Sequence, residues 1–156
     1  MSILKFENRT PKTLSELFTY LTDLKKTDSD GIFGIGCNPN YAVAEMQFVQ
    51  HCFFREKILH PYIQVIFAFD IGVKLPFDKI KEICIKIGEL LSQNQHQVFA
   101  AIHYLNTDKI HCHFLINYVS VDGNLYRQEK SIFYYKQEIN KILNVYGLNT
   151  IKCFGD

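Results

Sequence analysis

An excess of charge of one sign is missing from this 156-residue chain: 17 lysines and arginines stand against 16 aspartates and glutamates, a formal net charge of +1. That balance excludes a generally basic protein that coats nucleic acid by neutralising many phosphates. A disulfide framework is missing too. The five cysteines (37, 52, 84, 112 and 153) are odd in number and none belongs to a CxxC pair, which suits a reducing compartment. No apolar run reaches the roughly 18 residues that span a bilayer. The most apolar stretch, Tyr62 to Phe69, contains Gln64 and ends at Asp70. The N-terminus has neither a long apolar region nor a small-residue cleavage site, so export is not indicated and a cytoplasmic protein with no membrane partner is expected. Repeats, low-complexity tracts and linkers are also lacking.

What is present is enough apolar material, 47% of residues, for a single-domain core over 1–156 without staples. Leu14, Leu17, Phe18, Leu21 and Leu24 recur at helical spacing, and Thr13 with Glu16 forms a capping-box pattern, which predicts a helix over about 13–26. The stretch 28–40 reads as turn-rich and leads to a short helix around 41–49. Tyr62 to Phe69 reads as a buried strand. Phe77, Ile80, Ile83, Cys84, Ile87, Leu90 and Leu91 mark an amphipathic helix after Pro76. Val98–Leu105 and Ile110–Val121 read as a hairpin around the polar tetrapeptide 106–109. A last helix runs from Ile132 to Tyr146, with Gly147 as its C-terminal cap. This order predicts an α+β fold, one antiparallel sheet with helices packed on it.

Three of the six histidines fall in the hairpin. Residues two apart on a strand share a face, so His111 and His113 project together and Cys112 points away with Phe114 and Ile116. His103 joins them only across a loop of odd length, centred on Thr107 or Asp108; the simple four-residue loop 106–109 puts it on the other face. With the odd loop, three imidazoles converge into a site for Mn(II), Co(II), Ni(II) or Zn(II) with positions left open. The alternative is three strand histidines satisfied by hydrogen bonds.

The segment Ala101-Ile102-His103, with Asn106-Thr107-Asp108-Lys109-Ile110-His111-Cys112-His113 and the following Phe114 to Ser120, resembles the third motif of MobP-type relaxases, the mobilisation nucleases of plasmids and conjugative elements. Met1 to Arg9 is similar to the family's opening strand, and Tyr20 to Thr27 to its first motif. The Gly36-Cys37-Asn38 turn and Tyr146-Gly147-Leu148 match as well.

The resemblance implies a palm of about five antiparallel strands, like that of rolling-circle initiators, in a catalytic domain that is complete or part of a longer chain. It further implies a metal-dependent endonuclease of the His-hydrophobic-His class. Such an enzyme nicks one strand at a transfer origin through a 5′-phosphotyrosyl intermediate. Tyr20 matches the nucleophile, and His103, His111 and His113 match the ligands of a divalent ion: manganese or magnesium, with cobalt, nickel and zinc as alternatives. Two departures from the pattern stand out. The interval from His103 to His111 is one residue longer than usual, and Asn106 replaces an acidic residue. Asp108 then becomes the carboxylate expected to orient a ligand histidine. The implied partner is single-stranded or hairpin DNA, with accessory and coupling proteins.

Lys25, Lys26, Lys109, Arg127 and Lys130 flank the motifs as candidate phosphate contacts. With a net charge of +1 they predict weak, salt-sensitive DNA binding. Two other readings compete: a single-tyrosine transposase using Tyr134 or Tyr135, and a catalytically inactive DNA-binding module.

Overall fold

Five runs rich in β-branched and aromatic residues pair into one sheet in the computed structural model, which describes residues 1–7, 14–127 and 130–153. In chain order the elements are β1 (Ile3–Glu7), α1 (Leu14–Leu21), a 3-10 turn (Ser29–Gly31), β2 (Ile32–Ile35) and α2 (Ala42–Cys52). Then come β3 (Tyr62–Ala68), α3 (Phe77–Ser92), β4 (Val98–His103), β5 (His111–Asn117) and α4 (Ile132–Val145). The strands lie in the order β1-β3-β5-β4-β2, and every neighbouring pair is antiparallel. The expected α+β architecture of about five strands is therefore present, with β5 at its centre.

The two sheet faces are covered differently. Under α3 and α4 lies the larger core, where Ile80, Ile83, Cys84, Ile87 and Leu91 meet Ile102, Cys112, Phe114 and Ile116. Fully burying an aliphatic side chain contributes about 1.5–3 kcal/mol, so α3 alone accounts for a large share of the stability. The helix sits close to the sheet because Gly88 has no side chain: a Cβ there would come within 2.6 Å of Ile35 Cδ1. The opposite face carries a smaller cluster in which Leu17 and Leu21 of α1 and Ala42 and Met46 of α2 pack on Phe99, Ala101 and Leu115. Covered on both sides, β4 is buried at every position, which is why Val98 to His103 shows no alternation.

Several boundaries differ from expectation for local reasons. Helix α1 stops at Leu21 because Thr22 and Asp23 turn the chain: Thr22 Oγ1 donates to Phe18 O at 2.7 Å and Asp23 Oδ1 accepts from Lys25 N at 3.0 Å. Thr13 of the capping box and the end of the opening strand at Asn8 and Arg9 lie outside the described residues. The stretch 28–40, read as turns, hides β2, whose four residues pair with β4. The hairpin strands are shorter than predicted. Tyr104 and Leu105 leave the ladder to donate their amides to Lys26 O, and Tyr118 N turns to Pro61 O. At the end of α4, Gly147 adopts φ 66°, Leu148 N bonds Leu143 O and Gly147 N bonds Asn144 O, the reciprocal pair of a Schellman cap.

A buried polar knot closes the far end of β5. Asn117 accepts at Oδ1 from Gln50 Nε2 (2.9 Å) and Val119 N (3.3 Å), and it donates through Nδ2 to Met46 O (3.2 Å) and Gln97 Oε1 (3.0 Å). Its own carbonyl lies 2.8 Å from Nδ1 of His96. One side chain thus ties α2, the residue entering β4 and the β5 exit together. Asn117→Ala leaves several buried groups unpaired, and we expect a loss of about 3 kcal/mol, a fall in Tm of roughly 6–12 °C by thermal melting. An unchanged Tm would contradict this role.

Candidate metal centre

The histidines come together through strand register. His103 pairs directly with His111, a register centred on Thr107, and the seven residues 104–110 form the loop between the strands. The loop is thus odd in length, as three convergent imidazoles require, and the four-residue loop is not formed. His113, two residues on, lies on the same face. The three ring centroids are 4.6–5.0 Å apart, and one nitrogen from each lies within 4.8 Å of the others. Cys112 faces the opposite core, as expected.

Each ring has one nitrogen engaged and one left over. His103 Nε2 donates to Leu21 O at 2.9 Å, and His111 Nδ1 donates to Lys109 O at 3.0 Å. His113 Nδ1 lies 3.1 Å from Gln64 Nε2. A half-turn of that amide presents its oxygen to Nδ1–H, the tautomer in which Nε2 carries the lone pair. The remaining nitrogens, His103 Nδ1 and His113 Nε2, are buried with no hydrogen-bond partner. Stranding two buried imidazole nitrogens side by side is costly unless a shared cation takes their lone pairs, so these residues fit a divalent metal. Burial keeps both rings neutral. It lowers His103 from its ordinary range against the opposing effect of the Leu21 bond. Burial, reinforced by the neighbouring His103 and His111, pushes His113 down to about 3.

Tyr20, near the end of α1, stands beside this cluster. Its ring is edge-on to both His103 and His113, with centroids 5.7 Å away in each case. Lys26 Nζ lies 3.8 Å above the same ring. A cleft of about 450 Å³ opens here, lined by Tyr20, Lys25, Lys26, His103, Asn106 and His111, among others. Asn106 ties the loop to the chain beyond α1. At φ 54° it takes a left-handed conformation that asparagine tolerates, and its Nδ2 donates to Lys25 O at 2.9 Å. An aspartate has no such donor.

Other expected site residues are not brought to the cleft. Asp108 is exposed on the loop, and the partners of the three imidazoles are two backbone carbonyls and Gln64. Asp108 is therefore not the group that orients a ligand histidine; its backbone carbonyl accepts from Gly72 N. Lys109 is half-buried at the loop's end, outside the cleft lining. Arg127 lines a separate cleft with Arg55 and His96, and Lys130 sits 4.3 Å over Tyr134. The sequence gives no sign of Gln64's role because an amide inside an apolar strand reads as a tolerated exception. Its register opposite Leu115, beside the Ile66–His113 pair, becomes visible only once β3 and β5 are aligned.

Gln64→Ala removes the side chain bonded to the His113 ring, and Zn(II) affinity by calorimetric titration is expected to fall about ten- to a hundredfold. The acid limb of stability gives a second expectation. Below the unfolded value of about 6.5 and above the folded value of about 3, the unfolded chain binds a proton at His113 that the folded chain refuses. Metal-free stability therefore falls as pH drops through that window, by roughly 1 kcal/mol per pH unit. Urea midpoints of His113→Gln are expected to fall less steeply between pH 6.5 and 4; parallel curves would count against it.

No curated protein matches the chain. One solved structure, described as "Molecular Basis of Vancomycin Resistance Transfer in Staphylococcus aureus", is similar at 15% identity with a TM-score of 0.48, covering 69% of this chain and 64% of that one. The chain thus spans somewhat less than two thirds of that structure. A family described as "Relaxase: MobA/VirD2-like, nuclease domain" matches residues 20–148, from the cleft tyrosine to the residue after the Gly147 cap. The chain belongs to the MobA/VirD2-like family of relaxase nuclease domains.

Proposed function

We propose that this chain nicks one strand of DNA at a transfer origin, with Tyr20 as nucleophile and His103, His111 and His113 as ligands of a divalent cation. The observation that carries the reading is the placement of the Tyr20 ring against two of the three histidines. Attack by the Tyr20 oxygen on the scissile phosphorus forms a 5′-phosphotyrosyl bond and releases the 3′-oxygen, which takes up the proton. The bond exchange conserves phosphodiester energy, so the same residues reseal the strand in reverse. His103 and His113, kept neutral by burial, offer lone pairs near neutral pH. A bound cation would supply positive charge to the non-bridging phosphate oxygens. Three neutral nitrogen donors suit Mn(II), Co(II), Ni(II) or Zn(II) better than Mg(II), which prefers oxygen.

Lys25 and Lys26 line the cleft and are the two cations best disposed to hold the phosphates flanking the scissile bond. Single-stranded or hairpin DNA is the substrate of this reading, and accessory and coupling proteins complete recognition of the origin. Geometry disfavours the transposase reading. Both tyrosines of that reading belong to α4 and pack on the core away from the histidines: Tyr135 is buried there, accepts a hydrogen bond from Gln93 and packs on Phe6, and Tyr134 packs against the same cluster.

The test is covalent capture on a degenerate pool of single-stranded oligonucleotides with Mn(II). Wild type is expected to form a denaturant-resistant adduct that chelator abolishes. Tyr20→Phe should lose at least a thousandfold, whereas Tyr134→Phe should retain activity. Full capture by Tyr20→Phe would sink the assignment, and no capture by wild type with any divalent ion would favour the inactive DNA-binding module.

A further inference from the structure

Helix α1 has only eight residues and ends without a left-handed cap: Gly31 is ten residues away, and no residue from Thr22 to Asp30 has positive φ. Its last carbonyls need donors from elsewhere. Phe18 O is served by Thr22 N (3.0 Å) and Thr22 Oγ1 (2.7 Å). For Leu21 O the partner comes from across the molecule, the Nε2–H of His103 at 2.9 Å. A proton on Nε2 leaves His103 only Nδ1 for a metal, and Nδ1 is the buried nitrogen without a partner. His111 shows the opposite arrangement, Nδ1 engaged and Nε2 available. The nitrogens left over are thus of mixed type, Nδ1 on His103 and Nε2 on His111 and His113.

Resting on the metal-dependent nicking reading, we infer that His103 is a positioning residue as well as a ligand: it ligates through Nδ1, and its Nε2–H bond to Leu21 O couples metal loading to the placement of Tyr20. The physical chain is short. A cation at Nδ1 draws electron density from the ring and makes the Nε2–H a stronger donor. That donor faces the negative end of a helix, where a cationic partner is favoured. The carbonyl it holds belongs to the residue directly after Tyr20. Loading the centre therefore tightens the last turn of α1 and fixes the tyrosine over His103 and His113; emptying it loosens the nucleophile. Asn106 and the amides of Tyr104 and Leu105, which grip Lys25 O and Lys26 O, hold the segment after the helix to the same loop. The tightened turn is thereby braced from both ends.

The probe is the metal alone, added to the full chain carrying ¹⁵N-labelled histidine. Long-range ¹H–¹⁵N spectra with Zn(II), and ¹¹³Cd(II) couplings, report which ring nitrogen binds. The expected pattern is one ring ligated through Nδ1 with its Nε2 protonated, and two ligated through Nε2. Amide exchange at Tyr20, Leu21 and Thr22 should slow at least tenfold on Zn(II) binding, while amides of α4, beneath the other face, change little. Three rings ligated through Nε2, or metal binding with unchanged exchange at residues 20–22, overturns the coupling while leaving the metal site intact. Absence of any metal-bound histidine overturns the coupling and the nicking reading together.

Discussion

Pairing between β4 and β5 about Thr107 is the constraint on which the site depends, because side chains alternate with a period of two and a slip of one residue would send His103 into the opposite core. The register is enforced at both ends. At one end Asn106, Tyr104 and Leu105 bind the carbonyls of Lys25 and Lys26. At the other, Asn117 is held by Gln50, Gln97 and the backbone of α2. These anchors oppose a shift of the ladder, and the imidazoles meet as a consequence.

The division of labour between the two sheet faces follows from the same alternation. On one, Cys112, Phe114 and Ile116 are sealed beneath α3 and α4, within the larger of the two clusters. On the other, α1 and α2 cover only part of the sheet with a smaller cluster, leaving the histidines next to a cleft. A thick core on one side permits a thin one on the other. Polar residues such as Gln64 and His113 are tolerated there because they bond each other.

Much of this was legible in the sequence. Helical periodicity identified α3 and α4 because their apolar stripes are long, and the two-residue spacing of His111 and His113 determined their shared face regardless of tertiary detail. The placement of His103 was reducible to loop parity, a question the sequence poses without answering. Strand β2 was illegible because Ile32 to Ile35 includes Gly34 and adjoins turns, so only its pairing with β4 makes it a strand. Asp108 suits an orienting role by chemical type, but backbone carbonyls fill two of those roles, and carbonyls leave no trace in a residue code. Asn106 read as a departure from the family pattern, and its meaning emerged from a hydrogen bond to a residue 81 positions away.

That asparagine also alters the electrostatics around Tyr20. The cleft lining contains two lysines and three groups able to carry or attract a proton, yet no carboxylate. Outside that lining, Asp23 Oδ2 lies 4.0 Å from Lys26 Nζ, and Asp23 and Glu16 line an adjoining cleft that also includes Tyr20, so the local excess of positive charge is small and is screened by salt over roughly 8–10 Å. On the reading in which DNA is the substrate, a strand is held there by short-range contacts and not by long-range pull.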